Sequence, residues 1–241
     1  MKHPPARAKA SSMTPSGLDR RRVRQLLASA KHNSCVGSRI ETFSGLFVGC
    51  PYKPFPLIGS ASTPEVFAAP LDAFDCVTYI ETVLALARAK TVNGFIIELR
   101  KIRYQGGRVE WKKRNHYMTG WIRNNQRGGI VRRVAAASVP TVLRRRVLNV
   151  VPGLPVLRAR IRCVPKNALP RLAPHLAAGD LVFFASTRKN LDFFHAGIIA
   201  RTGERLLLRH ASRSQSGVVE QALDDFLKMN RMAGIVAVRP S

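Results

Sequence analysis

The strongest helical spacing of apolar residues lies before Ile102, and the clearest strand-length apolar runs come from Leu181 onward. A chain patterned this way folds as an α+β domain: helices first, then a mostly antiparallel sheet. A parallel sheet would need helices alternating with its strands. The strongest helix starts after Asp75, a good N-cap. Val77, Ile80, Val83, Leu84 and Ala87 then form one apolar face as far as about Ala89. Further helices are predicted from Leu18 to Ala30, Ser38 to Phe47, Phe95 to Ile102 and Ala222 to Met229. Strands are predicted over Leu181–Phe184, His195–Ala200, Arg205–His210 and Gly234–Arg239.

Between these elements the signals are weaker. Gly49-Cys50-Pro51-Tyr52 stops the second helix and opens a Pro-rich loop through Pro54, Pro56 and Gly59. Val66–Ala69 reads as a short strand, as does Arg108–Lys112 after the Gly106-Gly107 turn. Repeated Gly and Pro from Asn125 to Pro165 mark a basic insertion, about 103–165 in all, with one helix around Thr141–Leu148. Residues 1–17 read as a disordered lead-in and 18–241 as one domain.

Charge is the unusual feature of the composition. Forty Lys and Arg face fourteen Asp and Glu, a formal charge of +26. Seventeen of the basic residues lie between Arg100 and Arg162 against a single acid, Glu110. Such a surface attracts polyanions, namely nucleic acid, anionic lipid or an acidic wall polymer, although no nucleic-acid-binding module is recognisable. The four cysteines have no C-x-x-C spacing, so neither a zinc site nor a redox dithiol is expected, and no metal or cofactor is assigned. No apolar run reaches the length of a membrane span. The segment from Met1 to Gly17 lacks the apolar core of a signal peptide.

Of the four cysteines, only Cys76 opens a strong helix. Helix-terminal N–H groups there would lower its pKa and favour the nucleophilic thiolate, although a small buried residue would also fit the position. His195 opens one predicted strand and His210 closes the next, so a hairpin would bring both rings to one end of the sheet. A base and its orienting group need that placement, and half of a metal site would share it.

These residues resemble the NlpC-type group of papain-like cysteine peptidases, and within it the N-acetylmuramoyl-L-alanine amidase-like subgroup. The resembling blocks are Gly49-Cys50-Pro51-Tyr52, Phe74 through Thr82, Arg114-Asn115-His116-Tyr117 with Trp121 and Asn124, Gly179 through Phe184, Leu191-Asp192, His195 through Ile198, and His210-Ala211-Ser212. The basic Ile130–Val134 segment departs from the pattern.

The resemblance implies a papain-like fold, with Cys76 as nucleophile, His195 as base and His210 as third member. It also places Tyr52, Asn115, His116, Tyr117, Trp121 and Asp192 on the substrate side. The reaction implied is hydrolysis of a peptidoglycan amide bond through a thioacyl enzyme, in the cell envelope or outside the cell. The lack of a signal peptide leaves a cytoplasmic location open. Alternative readings are an acyltransferase on the same fold and a polyanion-binding protein with a relic triad. For single residues the plainer roles are a loop hydrogen bond for His116, core packing for Trp111 and Trp121, a cap for Asp75 and an ion pair for Glu81.

Overall fold

The computed structural model describes residues 14–33, 35–134 and 136–241. Most of the predicted lead-in, residues 1–13, lies outside them. Ser16 is described, and it bridges to Ala68 where a strand was predicted over Val66–Ala69.

Five helices come first: α1 (Arg20–Ser29), α2 (Val36–Leu46), α3 (Cys76–Arg88), α4 (Val92–Arg103) and α5 (Met118–Arg127). A six-stranded antiparallel sheet follows in the order β1-β8-β4-β5-β6-β7. Its strands are β1 (Val131–Arg133), β4 (Leu181–Ala185), β5 (Phe193–Thr202), β6 (Arg205–Ser212), β7 (Gly217–Ala222) and β8 (Gly234–Pro240). A separate hairpin pairs β2 (Val142–Leu148) with β3 (Leu157–Cys163). The single turn α6 (Leu169–Leu172) and α7 (Leu223–Met229) complete the chain. The fold is α+β, with the N-terminal helices on one face of a mostly antiparallel sheet.

Two hydrophobic clusters divide at the sheet. Val83, Phe95, Trp121, Phe183 and Ile198 belong to the helix side, and Phe184, Ile199, Leu208 and Phe226 to the side covered by α7. The helix side contains one buried ion pair. Arg103 of α4 donates from Nε to Glu81 of α3 at 2.7 Å, and Trp121 of α5 donates to the other Glu81 oxygen at 3.1 Å. Arg39 closes the C-terminus of α3, its guanidinium donating to the carbonyls of Leu86, Ala87 and Ala89.

Two local expectations are corrected. Thr141–Leu148 is not helical, because Val142–Leu148 is strand β2. The Leu143/Val147 spacing resembles a helix, but the alternation decides. Arg144 and Arg146 turn inward and donate to the carbonyls of Ala233 and Ser186, while β3 supplies the backbone partners. Arg108–Lys112 is not a strand either. Trp111–Lys113 forms a 3-10 turn, and Tyr104 bridges to Arg114 instead.

Five elements, α5, β1, β3, α6 and β7, were not predicted from the sequence. Gly120, Asn124 and Asn125 weaken the intrinsic helix propensity of α5. Tertiary contacts supply what the segment lacks, for Asp192 accepts from the Thr119 N–H at 2.7 Å in the helix's first turn.

Candidate active site

Asp75 caps α3 in full. Its carboxylate accepts from the Val77 and Thr78 N–H groups at 3.1 and 2.7 Å, and its own N–H donates to the Thr78 hydroxyl at 3.0 Å. That reciprocal box fixes Cys76 as the first helical residue, half-buried against the backbone of Ala196 in β5.

The charge on this thiol is the reverse of the sequence expectation. Burial, seconded by the Asp75 carboxylate, pushes the Cys76 pKa up to about 12, although the N–H groups of Ala196, Cys76 and Val77 pull the other way. Desolvation of a thiolate and a carboxylate one residue away outweigh the helix terminus.

His195 follows a β-bulge in the β4–β5 ladder at Phe184/Ala185, and the β5–β6 ladder starts only at Ile198 opposite Arg209. Its Nε2 lies 2.7 Å from Nδ1 of His210. Gly197 makes that approach practicable, since a Cβ there would lie 2.9 Å from the Arg209 carbonyl oxygen and 3.1 Å from the His210 Cβ. Phe226 flanks both rings at centroid distances of 5.5 and 5.3 Å. In this apolar setting burial, with His210 beside it, lowers the His195 pKa to about 3, and burial lowers that of His210 to about 4. No hydrogen bond joins the Cys76 thiol to His195. The resting pair is therefore neutral thiol and neutral imidazole.

This state has a measurable consequence. Alkylation of Cys76 by iodoacetamide, followed by peptide mass spectrometry, should accelerate about tenfold per pH unit up to pH 9, as for an unactivated thiol. A rate already flat from pH 5 to 8 would mean a thiolate–imidazolium pair instead.

A residue that sequence reasoning missed completes the row. The side-chain amide of Gln221 in β7 contacts His210 Nε2 at 3.0 Å. Amide nitrogen and oxygen are interchangeable by rotation, so the orientation of Gln221 selects the tautomer of both histidines. With its oxygen accepting from His210 Nε2–H, His210 Nδ1 accepts from His195 Nε2–H. His195 Nδ1 then keeps a free lone pair. With the nitrogen donating, every proton shifts and His195 Nδ1 is protonated. A polar position in β7, the strand beside His210, was the available signal, but β7 itself was not recognised.

Tyr52 bridges through its backbone to Phe74, and burial with the neighbouring Cys76 and Asp75 side chains pushes its phenol up. It is the substrate-side candidate that lies beside the thiol. The other five candidates are engaged elsewhere. Trp121 is a core residue bonded to Glu81. Asn115 is buried, donating to the Ile102 carbonyl and accepting from Asn124. The His116 ring meets the Trp111 carbonyl at 2.7 Å, the loop bond foreseen as its plainer role. The Tyr117 hydroxyl accepts from Val150 and Val151 N–H, and Asp192 is a buried acceptor for Thr119 and Phe193. These contacts help hold α5 and the hairpin loop in place. Among the described residues no group of three or more His, Cys, Asp or Glu is placed to hold a metal ion.

Helices on an antiparallel sheet, with a cysteine at a helix start and paired histidines at a strand end, define an α+β protein with a polar row fit for acyl chemistry. Residues 42–235 match the family model described as AmiA-like, N-acetylmuramoyl-L-alanine amidase-like, and the chain belongs to that family. Among solved structures it is similar to an N-acetylmuramoyl-L-alanine amidase from Bacteroides uniformis, with a TM-score of 0.76 and 26% identity over 86% of this chain and 99% of that one. A Legionella pneumophila protein with the family model DUF1460 shares the fold, with a TM-score of 0.80 and 20% identity over 92% of this chain and 94% of that one. No curated protein matches the chain.

Proposed function

We propose that the protein is a cysteine amidase of papain-like type that hydrolyses a peptidoglycan amide bond, either muramoyl-L-alanine or a bond within the stem peptide, in the cell envelope or outside the cell. The observation that carries this reading is the His195–His210–Gln221 chain of contacts across β5–β7, with Cys76 at the start of α3 against the backbone of Ala196, the residue after His195. Family membership and the similarity to the Bacteroides uniformis amidase support the substrate class. No helix among the described residues is long and apolar enough to cross a membrane.

Substrate binding brings the thiol to the free Nδ1 of His195. The imidazole takes the thiol proton as sulfur bonds to the amide carbon, because a thiol held near pKa 12 is deprotonated only as it attacks. The oxyanion is received by backbone N–H groups at the start of α3, with Tyr52 beside them. The C–N bond breaks, and the leaving amine takes the proton from His195. Water, deprotonated by His195, then cleaves the thioester, and the thiol regains its proton.

Digestion of a purified soluble muropeptide tests the reading. A new primary amine and a new carboxyl group should appear with no new reducing end; a new reducing end would indicate glycan cleavage and overturn it. The same assay probes Gln221. Gln221→Leu frees the tautomers and should lower kcat by about 10- to 100-fold with little change in KM. Gln221→Glu can only accept while ionised, holds the productive tautomer, and should retain most activity. Equal losses in both variants would remove the tautomer role.

A further inference from the structure

The hairpin β2–β3 carries six arginines, none of them in an ion pair among the described residues. In its register Leu143, Arg145 and Val147 lie opposite Arg162, Arg160 and Arg158, and all six face outward and are exposed. Arg145 and Arg160 are direct cross-strand neighbours, an arrangement that costs stability when nothing lies between like charges. Between β3 and α5 lies a groove of about 420 Å³, within the range of small-ligand clefts. Arg123, Arg133, Arg158, Arg160 and Arg162 line it, and Phe193, two residues before His195, stands in its wall. No carboxylate lines the groove, and none of these arginines takes part in an ion pair among the described residues. Arg133 is fixed in place by donating to the Arg162 carbonyl.

We propose that this groove binds phosphate-bearing ligands. Five arginines lining so small a groove call for a ligand of high charge density. A phosphoryl group concentrates up to two negative charges and three acceptor oxygens on one centre, and guanidinium forks grip such oxygens in pairs. Isolated carboxylates carry one charge each and need a chain between them, for which the groove has less room. The exposed Leu143, Val147 and Leu157 on the hairpin also suit the phosphate of an anionic lipid headgroup, so the ligand is either a soluble phosphoester or such a headgroup. The site is independent of the hydrolytic reading, for none of its arginines belongs to the Cys76 row.

The test is calorimetric titration of the full chain with inorganic tripolyphosphate at low salt, with citrate as the carboxylate control, alongside sedimentation with phosphatidylglycerol or phosphatidylcholine vesicles. Tripolyphosphate should bind at least tenfold more tightly than citrate, or phosphatidylglycerol vesicles alone should retain the protein. The first result identifies a soluble phosphoester as the source and the second a headgroup. In either arm Arg158→Gln/Arg160→Gln should weaken binding at least tenfold while muropeptide hydrolysis is unchanged. Arg123→Gln, across the groove on α5, should weaken it too. The proposal is overturned if neither probe binds, if citrate binds equally well, or if these variants bind like the wild type.

Discussion

Cys76→Ala should abolish amide hydrolysis, by about 10⁴-fold or more, and leave the fold intact. The size follows from the division of labour in the row. In the proposed mechanism His195 directs water at a thioester, a far more reactive acyl group than the amide it would face without the sulfur. Without the sulfur no acyl enzyme forms, and only binding and oxyanion stabilisation remain. Stability should barely change. Asp75, not Cys76, makes the cap, Ala is the best helix former, and the half-buried thiol fills little of the core. Circular dichroism and thermal melting of the variant check that half. Melting alongside the wild type while turnover vanishes is the expected result, and a variant that still hydrolyses muropeptide at the wild-type rate would remove Cys76 from the reaction.

Arg103→Met should destabilise the protein by about 3–5 kcal/mol, seen as a loss of roughly 10 °C in Tm. Arg103 and Glu81 are 1% and 2% exposed, and their pair ties α4 to α3, while Trp121 attaches α5 to the same carboxylate. Removing the guanidinium leaves Glu81 charged in a dry core or forces it to take up a proton. It also orphans the Ala68 carbonyl, which accepts from Arg103 at 2.5 Å. Glu81→Gln added to Arg103→Met removes the uncompensated charge yet keeps an acceptor for Trp121, so the double variant should recover a substantial part of the loss. A double variant no more stable than Arg103→Met would show that lost packing, rather than the stranded charge, accounts for the cost.

What could be read from the sequence follows the physics of each segment. Helix α3 and strands β4, β5 and β6 have apolar residues at regular intervals, so burial in the fold agrees with local pattern. The hairpin placing His195 beside His210 was legible because Thr202-Gly203 makes a tight turn between two strand-length runs. Hairpin β2–β3 was not legible. Two of its inward positions are Arg144 and Arg146, and inward arginines are tolerable only because carbonyls of distant segments receive them. Of the five residues assigned to substrate on resemblance, Asp192, Trp121 and Tyr117 bond to partners far along the chain, Thr119 with Asp192 being the widest such gap, whereas Asn115 and His116 bond closer in sequence. The thiol's charge state was misjudged for a related reason. The helix terminus is visible in sequence, but the burial that outweighs it belongs to the assembled sheet.

The central claim is that Cys76 becomes acylated during turnover. Rapid acid quench of the wild-type protein mixed with a muropeptide, followed by peptide mass spectrometry, measures this directly. The expected result is a transient adduct, with the mass of the acyl half of the substrate, on the peptide that contains Cys76. The adduct should decay as product carboxylate accumulates, and hydroxylamine should remove it, as it does a thioester. Hydrolysis proceeding with no adduct at any time point, and at an equal rate after Cys76 has been blocked, would contradict the claim.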